Sequence, residues 1–220
     1  MMEIGILGGT GPAGKALAGG LASVGLDLVT GSRNRHRAVE ACDGLIERWG
    51  DRQLSIRPAA NVGAAAAEVV MIATLWDAAA ETARSVARHL RGKVVVCMSN
   101  AIALVAGEFQ PLVPPRGSVS ASVEAELRDA YAAAAFHHVP STELGNLDHD
   151  LASDIRIYSD HQRATVPVSE IVREIPGARP LDAGGLSNPT AIEAFTAVLL
   201  QLNSRYEARV AVCFTGIDES

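Results

Sequence analysis

The sequence predicts an α/β fold with a doubly wound parallel sheet, and three observations carry that prediction. Runs such as Val94-Val95-Val96-Cys97 are apolar at every position rather than at alternate ones, as in strands covered on both faces. Helical stretches alternate with these runs, which implies right-handed βαβ units. A cluster of glycines follows the first run directly and opens the first helix. The 220 residues, against roughly 150 per domain, allow one large domain with an added lobe, and are ample for a core without staples.

In chain order, residues 4–7 form a short buried strand ending in glycines. A helix with small residues on its sheet-facing side follows over 12–24, and a second strand over 26–30. Residues 34–49 place Ala38, Ala41, Leu45 and Trp49 near helical spacing. Strands are predicted at 54–57, 68–73 and 94–97, with an amphipathic helix at 77–90 between the last two. Residues 101–115, with Pro111, Pro114 and Pro115, read as a long irregular segment. A helix at 122–131 and a strand at 132–136 come next. A strand at 154–158 leads into a helix capped by Ser159 or Asp160, which Pro167 kinks or truly begins. A last strand at 179–182 precedes a long, strongly apolar helix at 190–206. The tail at 209–214 reads as one more strand or an ordered arm.

Composition excludes several function classes. Charged residues make up 20% and apolar residues 48%, so the chain is neither disordered nor fibrous. The formal net charge of −6 comes without any dense Lys/Arg cluster, which argues against a nucleic-acid face. Cys42, Cys97 and Cys213 are odd in number and lack a CxxC spacing, which disfavours both a disulfide framework and a zinc site. No basic segment followed by an apolar stretch marks a signal peptide at the start, and no apolar run nears the roughly 20 residues that cross a bilayer. The expected setting is the cytoplasm.

The strongest local signal is Gly9-Thr10-Gly11-Pro12-Ala13-Gly14, a G-x-G-x-x-G between a strand and a helix. Gly9 is expected to permit the tight turn, Gly11 to leave room for a pyrophosphate, and Gly14 to let helix and strand pack closely. The amides and the positive end of the helix dipole favour anionic phosphates. At the end of the second strand, NAD-binding versions place an acidic residue that grips the ribose 2′-hydroxyl. This chain has Gly31-Ser32-Arg33-Asn34-Arg35-His36-Arg37 there. A carboxylate would repel a 2′-phosphate, whereas Ser32 donates a hydrogen bond and Arg33 and Arg37 supply charge. Cations are disfavoured at a helix N-terminus, so three arginines there call for a compensating anion. The cofactor read from these residues is NADP(H).

The reaction follows by elimination. No Tyr-x-x-x-Lys pair exists, because Lys15 and Lys93 are the only lysines. No G-x-x-x-x-G-K-[ST] points to phosphate-donor chemistry. The C-terminal part is too short for the large helical domain of a β-hydroxyacid dehydrogenase. What remains is a reaction that needs positioning more than acid–base help, such as hydride exchange between two heterocyclic carriers.

Six ordered stretches then resemble one family. They are Leu7-Gly8-Gly9-Thr10-Gly11 with Gly14-Lys15, Gly31-Ser32-Arg33, His137-His138-Val139-Pro140, Leu147-Asp148, the run from Leu181 to Asn188, and the tail from Phe214 to Ile217. Together the chain resembles the NADPH-dependent reductases of coenzyme F420, the F420H2:NADP+ oxidoreductases. The resemblance implies a Rossmann-like domain at 1–185, with a helix and tail at 186–220 completing the acceptor site and a homodimer interface. It also implies a cytoplasmic enzyme whose substrates are NADP(H) and the deazaflavin F420.

Carried over by motif, Gly9, Thr10, Gly11, Pro12, Ala13 and Gly14 would meet the pyrophosphate, and Ser32, Arg33 and Arg37 the 2′-phosphate. Thr74, Leu75 and Trp76 follow the fourth strand where the cofactor crosses the carboxyl edge, with Trp76 either walling the site or packing into the core. Ser99 and Asn100 lie on the same edge. His137 matches the family's histidine where the two rings meet and is the catalytic candidate; a structural histidine is the other reading. Pro140 and Ser141 would shape that pocket. Ser187 and Asn188 would face it or cap the last helix. One departure weakens the acceptor side: archaeal members carry an arginine shortly after the Ser-Asn pair, and here Pro189-Thr190 stand in that place. A reductase of free flavin or another small acceptor, and a non-catalytic NADP(H)-binding regulator, are the alternatives. No metal is expected.

Overall fold

The computed structural model describes residues 2–217. Six strands form one parallel sheet in the order β3-β2-β1-β4-β5-β8. They are β1 (Glu3–Leu7), β2 (Asp27–Ser32), β3 (Ile56–Ala60), β4 (Val69–Ile72), β5 (Val94–Cys97) and β8 (Tyr131–Ala134). Helices α1 (Pro12–Ser23), α2 (Arg35–Arg48), α3 (Asn61–Ala64), α4 (Trp76–Val86) and α5 (Val119–Glu124) connect or flank them. The uninterrupted apolar runs now have their cause. On β4, Val69 and Met71 join the core beneath α1, while Val70 and Ile72 join the core beneath α4 and α5. Both faces of each central strand are therefore dry, and the hydrophobic contribution counts twice per strand.

Beyond β8 the sheet changes character. β9 (Ser153–Ile157) and β10 (Ala178–Asp182) pair parallel to each other as a separate ribbon. One antiparallel bridge, Ala134 to Tyr158, stitches this ribbon to the end of β8 with backbone bonds of 2.8 and 3.0 Å. Helix α7 (Gln162–Glu174) covers the ribbon, and the short α6 (Ser141–Leu144) packs on α1. Helix α8 (Pro189–Tyr206) lies against a β-hairpin, β6 (Ile102–Val105) and β7 (Glu108–Pro111).

Several expectations are corrected here. The segment at 101–115 is not irregular: it holds the β6–β7 hairpin, turned at Ala106 and Gly107, both with positive φ. The third strand lies later than 54–57, at Ile56–Ala60. It accommodates Pro58 because it is the sheet edge, where one missing donor costs no ladder bond. The helix expected at 122–131 is Val119–Glu124, started by Ser118, whose hydroxyl accepts from the Ala121 amide at 2.9 Å. The helix expected at 77–90 ends at Val86 and tightens into a 3-10 turn over Ala87–His89. Neither Ser159 nor Asp160 caps α7. Ser159 bonds the Ala132 carbonyl at 2.6 Å, and Asp160 accepts from the Leu186 amide at 3.3 Å. Pro167 does not begin α7, because burial of Ala164, Val168, Ile171 and Val172 outweighs one lost hydrogen bond. The tail is an arm rather than a strand: Val212 accepts from the Asp154 amide at 2.9 Å, and Arg179 holds the Phe214 carbonyl at 2.7 Å.

Candidate functional site

The groove at the carboxyl edge is built from the β1–α1 turn outward. The left-handed residue of that turn is Gly8, with φ +79°, rather than Gly9. Gly9 serves close approach instead: a Cβ there would lie 2.6 Å from the Thr30 methyl. A Cβ on Gly14 would lie 2.5 Å from the Gly8 carbonyl, so the start of α1 can sit this close to the turn only with glycine there. Gly11 is the position left open, with nothing nearer than 3.7 Å to its missing Cβ. It caps α1 with no side-chain bond, and the first turn holds no acidic residue. The amide donors there therefore have room for an anion, which fits a pyrophosphate.

Across the groove stand the end of β2 and the start of α2. Ser32 is buried and its Oγ accepts from the Asn34 amide at 3.2 Å, which leaves the hydroxyl proton free to donate. Asn34 caps α2 by accepting from the His36 amide at 2.9 Å. Arg33 and Arg37 are exposed, line the groove, and have no carboxylate partner among the described residues. The third wall is Thr74 and Leu75 after β4, with Ala78 and Thr82 from α4. The resulting groove measures about 620 Å³.

This groove brings together Thr10, Gly11, Pro12, Ala13, Ser32, Arg33, Arg37, Thr74 and Leu75 from the expected set. Gly9 and Gly14 lie buried behind it. Trp76 does not wall it: the ring packs into the core beneath α4, and Leu75, 78% exposed, takes the wall position one residue earlier. Sequence reasoning missed Asn61, which is buried, lines the groove and carries a side-chain oxygen without a partner. Its signal lay in the end of β3: with that strand placed three residues too early, Asn61 fell away from the carboxyl edge.

The remaining candidates form a buried polar seam beside the groove. Ser99 donates to the Thr74 carbonyl at 2.8 Å and so ties the ends of β4 and β5. Asn100 donates from Nδ2 to the His137 carbonyl at 2.6 Å, and Thr196 of α8 donates to the same carbonyl at 3.1 Å. That donation fixes the orientation of the Asn100 amide and leaves Oδ1 buried without a partner. The preceding residue, Phe136, holds a positive φ of 64°, a costly conformation for a bulky side chain. It turns the chain out of β8 so that the His137 carbonyl meets both donors.

The His137 ring is buried and does not line the groove. Its Nε2 lies 3.4 Å from the Ser120 hydroxyl, and Ser120 in turn donates to Glu193 of α8 at 2.9 Å. Glu193 also accepts from the Val119 and Ser120 amides, at 2.8 and 3.1 Å. Burial, followed by the neighbouring His138, pulls the pKa of His137 down to about 3. His138 bonds the Asp154 carbonyl at 2.7 Å and is lowered to about 4, by burial first and then by Arg156. Both rings are neutral at ordinary pH. Pro140 caps α6, and Ser141 lines a separate trough on the other side of Pro12. Ser187 and Asn188 are exposed ahead of α8; Asn188 occupies the cap position but makes no side-chain cap bond.

A profile of the family described as NADP oxidoreductase coenzyme F420-dependent matches residues 3–101. The F420-dependent NADP reductase of Methanocaldococcus jannaschii is 32% identical over 217 residues, covering 94% of this chain and 95% of that protein. The F420-dependent NADP reductase of Methanothermobacter marburgensis is 32% identical over 215 residues, covering 96% of each. The fold also matches a crystal structure from Arthrobacter sp. FB24, with a TM-score of 0.81 at 18% identity over 97% of this chain and 100% of that one. Another, from Sinorhizobium meliloti, gives 0.73 at 24% identity, over 89% of this chain and 91% of that one. With near-complete coverage of relatives sharing one activity, and a phosphate-binding turn and basic second-strand end where that activity needs them, the chain belongs to the F420-dependent NADP reductase family.

Proposed function

We propose that this protein is an oxidoreductase that moves a hydride between NADP(H) and coenzyme F420. The observation that carries the nucleotide half is the pair Arg33 and Arg37, unpaired beside the Ser32 hydroxyl with no carboxylate on that wall of the groove. The relatives' activity carries the acceptor half. When bound, the two heterocycles supply the redox chemistry, donating and accepting hydride at carbon. The protein's part is to hold and orient. The first-turn amides of α1 take the pyrophosphate, Arg33, Arg37 and Ser32 the 2′-phosphate, and Leu75 walls the groove. The buried Asn100 Oδ1 is an acceptor suited to a carboxamide N–H. His137, neutral and buried, acts as a positioning residue through its carbonyl rather than as an acid.

Pro140, Ser141, Ser187 and Asn188 belong to the acceptor side on this reading, with residues 186–220 completing it and joining two copies into a homodimer. The compartment that fits is the cytoplasm. Among the described residues no helix is long and apolar enough to cross a membrane. The deciding assay runs NADP+ with reduced F420 and, in parallel, NADPH with FMN. Turnover is expected in the first only; turnover with FMN alone would replace the deazaflavin reading, and none in either would favour a binding protein.

A further inference from the structure

A trough of about 660 Å³ runs over the outer surface of α1 and α2, on the far side of Pro12 from the nucleotide groove. Pro12 lines both, and Ser141, already placed on the acceptor side, forms the trough's near wall. From there the trough passes Lys15 and continues to Arg48 and Trp49 at the end of α2, with Arg209 from the tail on its rim. Its charge is lopsided. The one acidic lining residue, Asp148, is paired with Arg52 at 3.3 Å, and Arg209 is paired with Glu143 at 3.0 Å. Lys15 and Arg48 have no carboxylate partner among the described residues. The Arg48 guanidinium lies over the Trp49 ring at 5.1 Å, which orders it without neutralising it. The hydroxyls of Ser141 and Thr142 make no side-chain bond among the described residues. On a chain of net charge −6, two uncompensated cations and two free hydroxyls in one trough, with Ser141 on its wall, call for an extended anion.

We infer that this trough binds the anionic side chain of the acceptor, a phosphodiester followed by γ-linked glutamates, with Lys15 and Arg48 reading its charge. The inference rests on the deazaflavin reading given above. It makes the trough a specificity site for tail length, separate from the ring pocket where hydride moves. Exposed charge contacts are weak and salt-screened, so the effect belongs in KM and fades at high ionic strength.

The test measures kcat and KM at low salt with F420 carrying long tails, F420 carrying short tails, and the tail-free deazaflavin alcohol. Wild-type protein, Lys15→Gln, Arg48→Gln and the double variant are compared. The expected result is a KM for long-tailed F420 that rises about threefold per charge removed and about tenfold in the double variant, the range of exposed charge pairs. Its kcat stays unchanged, as does KM for the tail-free alcohol. Equal KM changes for tailed and tail-free acceptors, or none for either, would overturn the tail site while leaving the deazaflavin activity intact. No turnover of any deazaflavin by wild-type protein would instead overturn the activity itself, and the tail site with it.

Discussion

Arg33 and Arg37 stand at the start of a helix where the dipole opposes cations, without a carboxylate partner among the described residues. An anion in the groove resolves that conflict. Arg33→Ala is expected to weaken NADPH binding by about 1–2 kcal/mol, the range for a charge-assisted bond at a partly exposed site. NADH binding should change by less than about twofold, because NADH lacks the group that the arginine holds. Paired fluorescence titrations check this, and equal losses for both nucleotides would remove Arg33 from the 2′-phosphate. His137 makes a second prediction. Its ring is neutral down to about pH 3, and the carbonyl that holds Asn100 is main chain and stays in place, so His137→Gln should change kcat little while the pH–rate profile between 5 and 8 keeps its shape. A lost or displaced limb in that profile would restore an acid–base role. Placement at the groove was legible in the sequence where chemistry demanded one residue type, as at the glycine turn and Ser32-Arg33. It was not legible where neighbouring residues compete for one wall: Leu75 and Trp76 are adjacent, and only the direction in which α4 starts decides which faces the groove.

Among elements, the central βα units were readable because their burial on both faces leaves unbroken apolar runs. The β6–β7 hairpin was hidden for the opposite reason. Its strands are largely exposed and rich in proline at the exit, and their register depends on α8, where Gln201 accepts from the Phe109 amide at 3.0 Å. Helix α8 explains its own apolar character. Ile192, Ala197 and Leu199 are buried within the chain, while Phe195, Val198 and Tyr206 form an exposed stripe at helical spacing, 41, 49 and 74% accessible. Leu104 and Val105 of the adjacent hairpin are exposed as well. A second copy covering that stripe is the arrangement that removes most apolar surface from water at the cost of a single symmetric contact. On the homodimer proposed above, the wild-type protein is expected to sediment as a dimer at micromolar concentration and Val198→Glu as a monomer, with the fold retained by circular dichroism. A monomeric wild-type protein would contradict the dimer outright.

At the scale of the whole molecule, the ribbon of β9 and β10 joins the main sheet through one bridge and a layer of buried polar groups, and no periodicity in the sequence announces such a seam. His138 lies in it against Asp154 and near Arg156, and His137 lies next to it against Ser120 and Glu193. Both histidines resist protonation in the folded state, at about 3 and about 4, against 6.5 when unfolded. Above pH 6.5 neither state is protonated and they contribute nothing to pH dependence. As pH falls below 6.5 the unfolded chain takes up protons that the native protein refuses, so stability drops down to about pH 4. Asp154, held below the usual range by Arg179, loses its contribution at still lower pH, in the same direction. Glu193 opposes them, since burial raises its pKa and the native state then takes up a proton above pH 4.5. The two histidines set the ceiling at about two protons, or about 2.7 kcal/mol per pH unit, and Glu193 reduces the slope below it. Thermal unfolding should therefore fall by a few degrees between pH 6.5 and 5, at about 2–4 °C per kcal/mol for a chain of this size. His138→Gln should flatten that slope whatever it does to the midpoint at pH 7.5, because it deletes a titrating group without touching Glu193. A slope unchanged in the variant, or a wild-type protein that gains stability on acidification over this window, would mean that the seam does not keep its histidines dry.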